Sequence, residues 1–279
     1  MVRSGRAAIP IYTVVEGFTL FGGGVVPGFF ALKPKVGWDT AGGFDYRLAA
    51  TPWHLSGRFE LGQAKSSAGT SSSDSLYGAS LTDSEQAAHT ETHWVADFAV
   101  GRDFAIGRDT AQAKLGIRVA DLTAKTSHLN NLTVLYGATE VVNFDNEQTS
   151  HFQGVGPRIG VEGAIPLRGG FSFDYLSDVA VLFSTGQSRQ FIATSSVSVM
   201  PGGFSTTTVT AGEDSHGAIV PNADIQAGIS YWVNQRVKLS AAYRLDAYFG
   251  VLKVLDAEGN LMKADRYFHG PRVAATVNF

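Results

Sequence analysis

The most constraining feature of this chain is the rhythm of its connections. Segments that alternate apolar and polar residues with period two, as half-buried strands do, are joined by links that are long and short in strict turn. Short links fall near 50–52, 107–109, 166–169 and 234–235. Long ones fall near 22–34, 66–90, 127–148, 185–217 and 252–265, most of them rich in Ser, Thr and Gly and without periodicity. The clearest strand places Phe171, Phe173, Tyr175, Ser177, Val179, Val181 and Phe183 against Ser172, Asp174, Leu176, Asp178, Ala180 and Leu182. The last places Val273, Ala275, Val277 and Phe279 against Arg272, Ala274, Thr276 and Asn278. Ten such strands are expected, the first near 12–21 and the second near 35–50.

A soluble sandwich has no reason to lengthen every second connection. A barrel crossing a membrane has one, because its turns are short on one side and its loops long on the other. Many strands also reach the roughly 9–11 residues that a tilted strand needs to cross a bilayer. An even strand number puts both chain ends on the short-turn side. The expected fold is all-β: a transmembrane antiparallel up-and-down β-barrel of about 10 strands, forming one domain over 1–279 with 1–10 as an N-terminal extension.

Composition agrees where it bears on this. Charged residues are 17% of the chain, with 32 Gly, 9 Tyr and 18 Phe, whereas soluble domains carry about a quarter charged residues. No run of about 18 apolar residues is present, so no transmembrane helix is expected. The net charge of −3 without a basic stripe argues against nucleic acid as a partner. The absence of cysteine excludes disulfides, thiolate metal sites and a Cys nucleophile. At the N-terminus, Pro10 and Glu16 interrupt the run that a signal peptide would need, so none is evident there.

The two faces differ in chemistry. One is almost wholly apolar and aromatic, with Trp38, Trp53, Trp94, Tyr175, Phe183, Tyr231, Phe249, Tyr267 and Phe279 near strand ends, where interfacial girdles form. The other carries Arg47, Arg58, Lys114, Arg118, Lys238, Arg244 and Arg272, with Asp45, Glu60, Asp97, Asp174, Asp178, Asp224 and Asp246, and in a barrel it lines the lumen. The candidate lumen-lining residues are Arg47, Arg58, Lys114, Arg118, Arg158, Glu162, Asp174, Asp178, Asp246 and Arg272. One arrangement sets Arg118, Arg158 and Arg272 as a basic ladder opposite Asp174, Asp178 and Asp246, creating a transverse field for polar solutes. The other has these charges cross-linking strands and filling a narrow bore, since about eight strands already fill with side chains.

Catalytic patterns are weak. His89 and His93 are four apart, but a metal pair at that spacing needs a helix and this region reads as loop into strand. No nucleophile elbow occurs, and the acids Glu162, Asp174 and Asp178 read as lumen structure. The glycine clusters lack a following helix to cradle phosphate. Neither a cofactor nor a metal is expected, and the chain is not expected to be an enzyme.

Several motifs resemble the Legionella-type major outer-membrane protein family of pore-forming barrels, in versions seen in alphaproteobacteria. They are Gly43-Phe44-Asp45-Tyr46-Arg47 with Thr51-Pro52-Trp53-His54; His93-Trp94 through Val100-Gly101-Arg102-Asp103; Gly116-Ile117-Arg118-Val119-Ala120; Gly154-Val155-Gly156-Pro157-Arg158-Ile159-Gly160-Val161; and Gly270-Pro271-Arg272-Val273. They span roughly strands two to ten. The resemblance implies a bacterial outer-membrane location and pore activity, with Phe279 as an assembly signal. The expected partners are outer-membrane lipid, the barrel-assembly machinery, and ions or small polar solutes. The expected function is a porin-like passive channel. The alternatives are a non-conducting structural or surface-binding barrel acting through its long loops and, third, a barrel hydrolase.

Overall fold

A computed structural model describes residues 16–17, 36–76, 79–106, 109–136, 138–200, 204–255 and 261–278. They form ten strands in chain order: β1 (Glu16–Gly17), β2 (Val36–Arg47), β3 (Trp53–Leu76), β4 (Ala79–Ile106), β5 (Asp109–Tyr136), β6 (Ala138–Pro166), β7 (Phe171–Met200), β8 (Phe204–Trp232), β9 (Val237–Leu255) and β10 (Leu261–Val277). Each pairs antiparallel with its sequence neighbour, in the order β1 to β10. The two described residues of β1 pair with β2 and lie beside β10, at the seam where the sheet closes. The expected extension 1–10, most of the first strand, the connection 22–34 and Phe279 lie outside the described residues.

The outer surface shows why the sheet suits a bilayer. Leu115, Ile117, Val155, Ile159, Phe98 and Ile225 all point outward and stay exposed. In water such a continuous apolar surface would be a liability; in lipid it is required. The apolar band ends sharply. Beyond Val119 and Val155 the outward positions become the ion pairs Asp121–His151, at 3.0 Å, and Lys125–Glu147, at 2.7 Å. Aromatic residues mark both rims. Near the short turns Phe171 stacks obliquely on Tyr231 with ring centroids 4.8 Å apart, and Arg102 lies over Trp53. At the other rim Phe249 meets Tyr267 edge-on, and Trp94 stacks on Phe59.

The short turns stand where the sequence puts them. Thr51 N–H donates to the Leu48 carbonyl, and Asn234 Oδ1 accepts from the N–H groups of both Arg236 and Val237. A single 3-10 turn, Arg168–Gly170, closes the β6–β7 link.

The long connections depart from expectation. The described residues of segments 66–90, 127–148 and 185–217 do not form loops but continue the strands. β3 and β4 remain paired from Trp53↔Arg102 to Leu76↔Ala79, and β5 and β6 from Thr110↔Ala164 to Tyr136↔Ala138. β7 reaches 30 residues, about three times the length that spans a bilayer. Outside the membrane neither face needs an apolar stripe, so Ser- and Thr-rich strands lose their period-two signal while the backbone ladder runs on.

The β9–β10 connection departs in another way. β9 stays beside β8 only as far as Asn222↔Tyr248. At Gly250 the backbone takes a φ of 65°, accessible at little cost only to glycine. The consecutive residues Val251 and Leu252 are then both buried, which a regular strand forbids. Gln187 Nε2 on β7 donates to the Gly250 and Val251 carbonyls, and the Lys253 N–H donates to Ser150 Oγ on β6. The stretch of this hairpin at Gly250–Lys253 is therefore folded inward over the bore.

Candidate functional site

The interior is the candidate site, and period two builds it. Residues of one parity on every strand from β2 to β10 project inward, and at the height of the apolar band nearly all carry charge or a polar group. Arg118 on β5 donates to both carboxylate oxygens of Asp97 on β4, at 2.7 and 2.8 Å, and to Asn222 Oδ1 on β8. Arg158 on β6 pairs with Asp97 at 2.9 Å and with Asp178 on β7. Arg244 on β9 holds both oxygens of Asp224 on β8, at 2.6 and 2.7 Å, and pairs across the bore with Glu60 on β3. Arg272 on β10 pairs with Glu60 at 3.0 Å, and Arg58 with Glu60 and, at 3.8 Å, with Asp224. Asn222 donates to Asp246 Oδ1 at 2.7 Å, and Arg244 lies 3.2 Å from the other oxygen of Asp246.

These contacts join into one belt to which β2, through Asp39, and every later strand contribute. It contains five arginines (58, 118, 158, 244, 272) and six carboxylates (39, 60, 97, 178, 224, 246). Arg118 and Asp224 are each 0% exposed. Glycine makes room for it: a Cβ on Gly160 would overlap Asp178 Oδ1.

On the side of the extended hairpins, an apolar layer crosses the bore. Leu122, Phe152, Leu182, Val220, Tyr248, Leu252 and Phe268 are buried together, beside the infolded stretch Gly250–Lys253 of β9. On the short-turn side the bore is polar and more open. Lys114 lies 2.7 Å from Glu162 and 3.6 Å from Asp45, His54 sits between Asp45 and Asp103, and Asp174 pairs with Lys238 at 2.7 Å.

The predicted lumen residues thus divide. Arg58, Arg118, Arg158, Asp178, Asp246 and Arg272 meet in the belt. Lys114, Glu162 and Asp174 lie in the polar vestibule below it. Arg47 is at the rim, half exposed, 3.4 Å from Asp103. The opposed ladders do not form: Arg118 and Arg158 share Asp97 and Asp178 locally, and Asp174 is engaged elsewhere. Neighbouring strands set opposite charges side by side because a pair in contact offsets desolvation better than two separated rows.

Sequence reasoning set Glu60, Asp97, Asp224 and Arg244 on the charged face without singling them out, and it left out Asp39, Asn222 and the whole apolar layer. A signal was present. Leu122, Leu182 and Val220 sit on the polar parity, each four residues from a belt member (Arg118, Asp178 and Asp224), at one height around the ring. His89 and His93 do not act as a pair: His89 contacts Thr126 Oγ1 and Glu91, both at 2.8 Å, whereas His93 lies near Asp39.

An antiparallel barrel with an apolar outer band, aromatic rims and a charged interior defines an outer-membrane β-barrel protein. The chain belongs to the family described as Legionella pneumophila major outer membrane protein precursor, whose model matches residues 27–279. This places it in the bacterial outer membrane. Among solved structures it is similar to the transport unit of the autotransporter AIDA-I from Escherichia coli, at 9% identity over 97% of this chain and 89% of that one, with a TM-score of 0.33. The CymD monoaromatic hydrocarbon channel is similar at 9% identity over 100% and 89%, with a TM-score of 0.26. OmpT, an outer membrane protein of Vibrio cholerae, gives 10% identity over 95% and 97%, with a TM-score of 0.17. No curated protein matches the chain.

Proposed function

We propose that this protein is a closed outer-membrane barrel, non-conducting at rest, that acts through the surface of its extended hairpins. The carrying observation is that the side chains meeting across the bore are buried, Arg118 and Asp224 completely and Glu60 and Arg244 at 3% exposure. A water-filled channel needs a continuous wet path, and here two barriers stand in series. The belt blocks by filling and fixing the bore. The apolar layer blocks by excluding water, and therefore hydrated ions.

The polar vestibule favours a second reading, a porin-like channel for ions or small polar solutes whose gate is the belt and the infolded stretch of β9 at Gly250–Lys253. Lys114, Glu162, Asp174 and Lys238 would then be its solute-facing residues. In either reading lipid meets the outer band, and the terminal strand is the element presented to the assembly machinery.

Planar-bilayer recording of the refolded chain separates the two. A chain shown to be folded by heat-modifiable gel mobility is expected to give no discrete conductance steps. Reproducible steps from the unmodified chain would overturn the closed reading and establish the channel. If both barriers act in series, Arg118→Ala alone stays silent, and steps appear only when Phe152→Ala and Leu182→Ala are added.

A further inference from the structure

We infer that the upper edge of the belt is a binding site for one divalent transition-metal ion of the zinc class, held by Asp39, Glu60 and His93. These side chains come from β2, β3 and β4, and their ligand atoms lie within 4.8 Å of one another, the one such grouping of His, Asp and Glu among the described residues.

Asp39 points to an ion most directly. It is 2% exposed, yet neither of its carboxylate oxygens accepts a hydrogen bond. His93 Nε2 and Arg272 Nη2 both stand 3.5 Å from Asp39 Oδ2, beyond hydrogen-bond length for a charge-assisted contact. That separation suits something else. Two ligands each about 2.1 Å from a tetrahedral zinc ion stand roughly 3.4 Å apart. An imidazole with two carboxylates is also a donor set that zinc favours.

His93 is held for the role. Its ring packs against Phe268 with centroids 4.3 Å apart, and a Cβ on Gly62 would stand 2.9 Å from its Nε2, so glycine at 62 is what lets the ring lie there. The charge balance permits it: with five guanidinium groups against six carboxylates the belt is one positive charge short, and a divalent ion beside Asp39 leaves it at +1. The ion competes with Arg58, Arg244 and Arg272, all of which hold Glu60, so the affinity is moderate; Arg272, which also faces Asp39, sets it.

The experiment refolds the tag-free, full-length chain at neutral pH in graded Co²⁺, so that the ion is present before the bore closes, and reads the visible absorption of tetrahedral cobalt, with Zn²⁺ in the refolding mixture as competitor. One equivalent is expected, with the tetrahedral spectrum absent from chain refolded with excess Zn²⁺. His93→Ala and Asp39→Asn should each weaken binding at least a hundredfold, whereas Arg272→Gln should tighten it about tenfold. Absence of cobalt binding by a chain shown to be folded would overturn the site. So would binding that survives His93→Ala in protein that remains heat-modifiable. Weaker binding in Arg272→Gln, in protein that remains heat-modifiable, would count against it equally.

Discussion

Replacing Arg118 with methionine tests whether the belt holds the barrel together. Methionine keeps much of the volume and removes the charge. The wild-type guanidinium donates twice to Asp97 and once to Asn222, and stands 3.9 Å from Asp178 and 3.8 Å from Asp224. Removing one partner of a buried ion pair costs about 3–5 kcal/mol, because the other charge stays buried without its counter-ion. Asp97 keeps Arg158 at 2.9 Å, which puts the expected loss near the lower end, about 3 kcal/mol. Arg118→Lys keeps the charge and loses the two-pronged grip on Asp97, for an expected loss of about 1.5–3 kcal/mol. The assay is equilibrium urea unfolding in phospholipid vesicles, followed by the fluorescence of the tryptophans, three of which (Trp38, Trp53, Trp94) stand near the rims. Asp97→Asn and the double variant complete a mutant cycle. The expected coupling is about 2 kcal/mol, within the range for residues in one network. A loss below about 1 kcal/mol for Arg118→Met, or additive effects in the cycle, would refute the reasoning. Raising salt should leave the effect nearly intact, since ions cannot enter to screen the pair.

Two further outcomes follow from the layers above the belt. Phe152→Ala removes a fully buried ring from the apolar layer and should cost about 3–5 kcal/mol in the same urea assay; a cost under 1 kcal/mol would mean that layer is loosely packed or wet. Gly250→Ala puts a side chain at a positive φ, costs about 1–2 kcal/mol, and should loosen the infolded stretch of β9, seen as faster proteolytic cleavage near 250–255 with the barrel still heat-modifiable. Unchanged cleavage would show that the bend does not depend on glycine.

How much of this was legible in the sequence depended on where each residue lies relative to the bilayer. Within the band, lipid on one side and the bore on the other enforce alternation, and strands such as 171–183 announce themselves. Beyond it, both faces of residues 185–217 tolerate Ser and Thr, the pattern vanishes, and strands look like loops. Parity also told which charges point inward, as it did for Arg118 and Asp178. It could not tell their partners, because Glu60 and Arg244 meet across the bore from positions 184 residues apart, and nothing local encodes a diameter. Asp39 was missed for a simpler reason: a lone carboxylate on a strand is ordinary until the neighbouring strands bring His93 and Glu60 beside it.

The distribution of the belt over nine successive strands has a consequence for how the barrel can come into being. An incomplete sheet that has entered lipid carries half of a charge network with no counterpart: β3 brings Glu60 long before β9 and β10 bring Arg244 and Arg272. Each intermediate thus exposes ionised groups to hydrocarbon or must keep a wet interior, and neither state is comfortable. The penalty is discharged only when the last strand reaches the first. Closure is then all-or-none, and Arg272, beside the seam, acts as the latch: a barrel that mis-registers by one residue at that seam turns the latch outward into lipid, and the belt itself rejects the error.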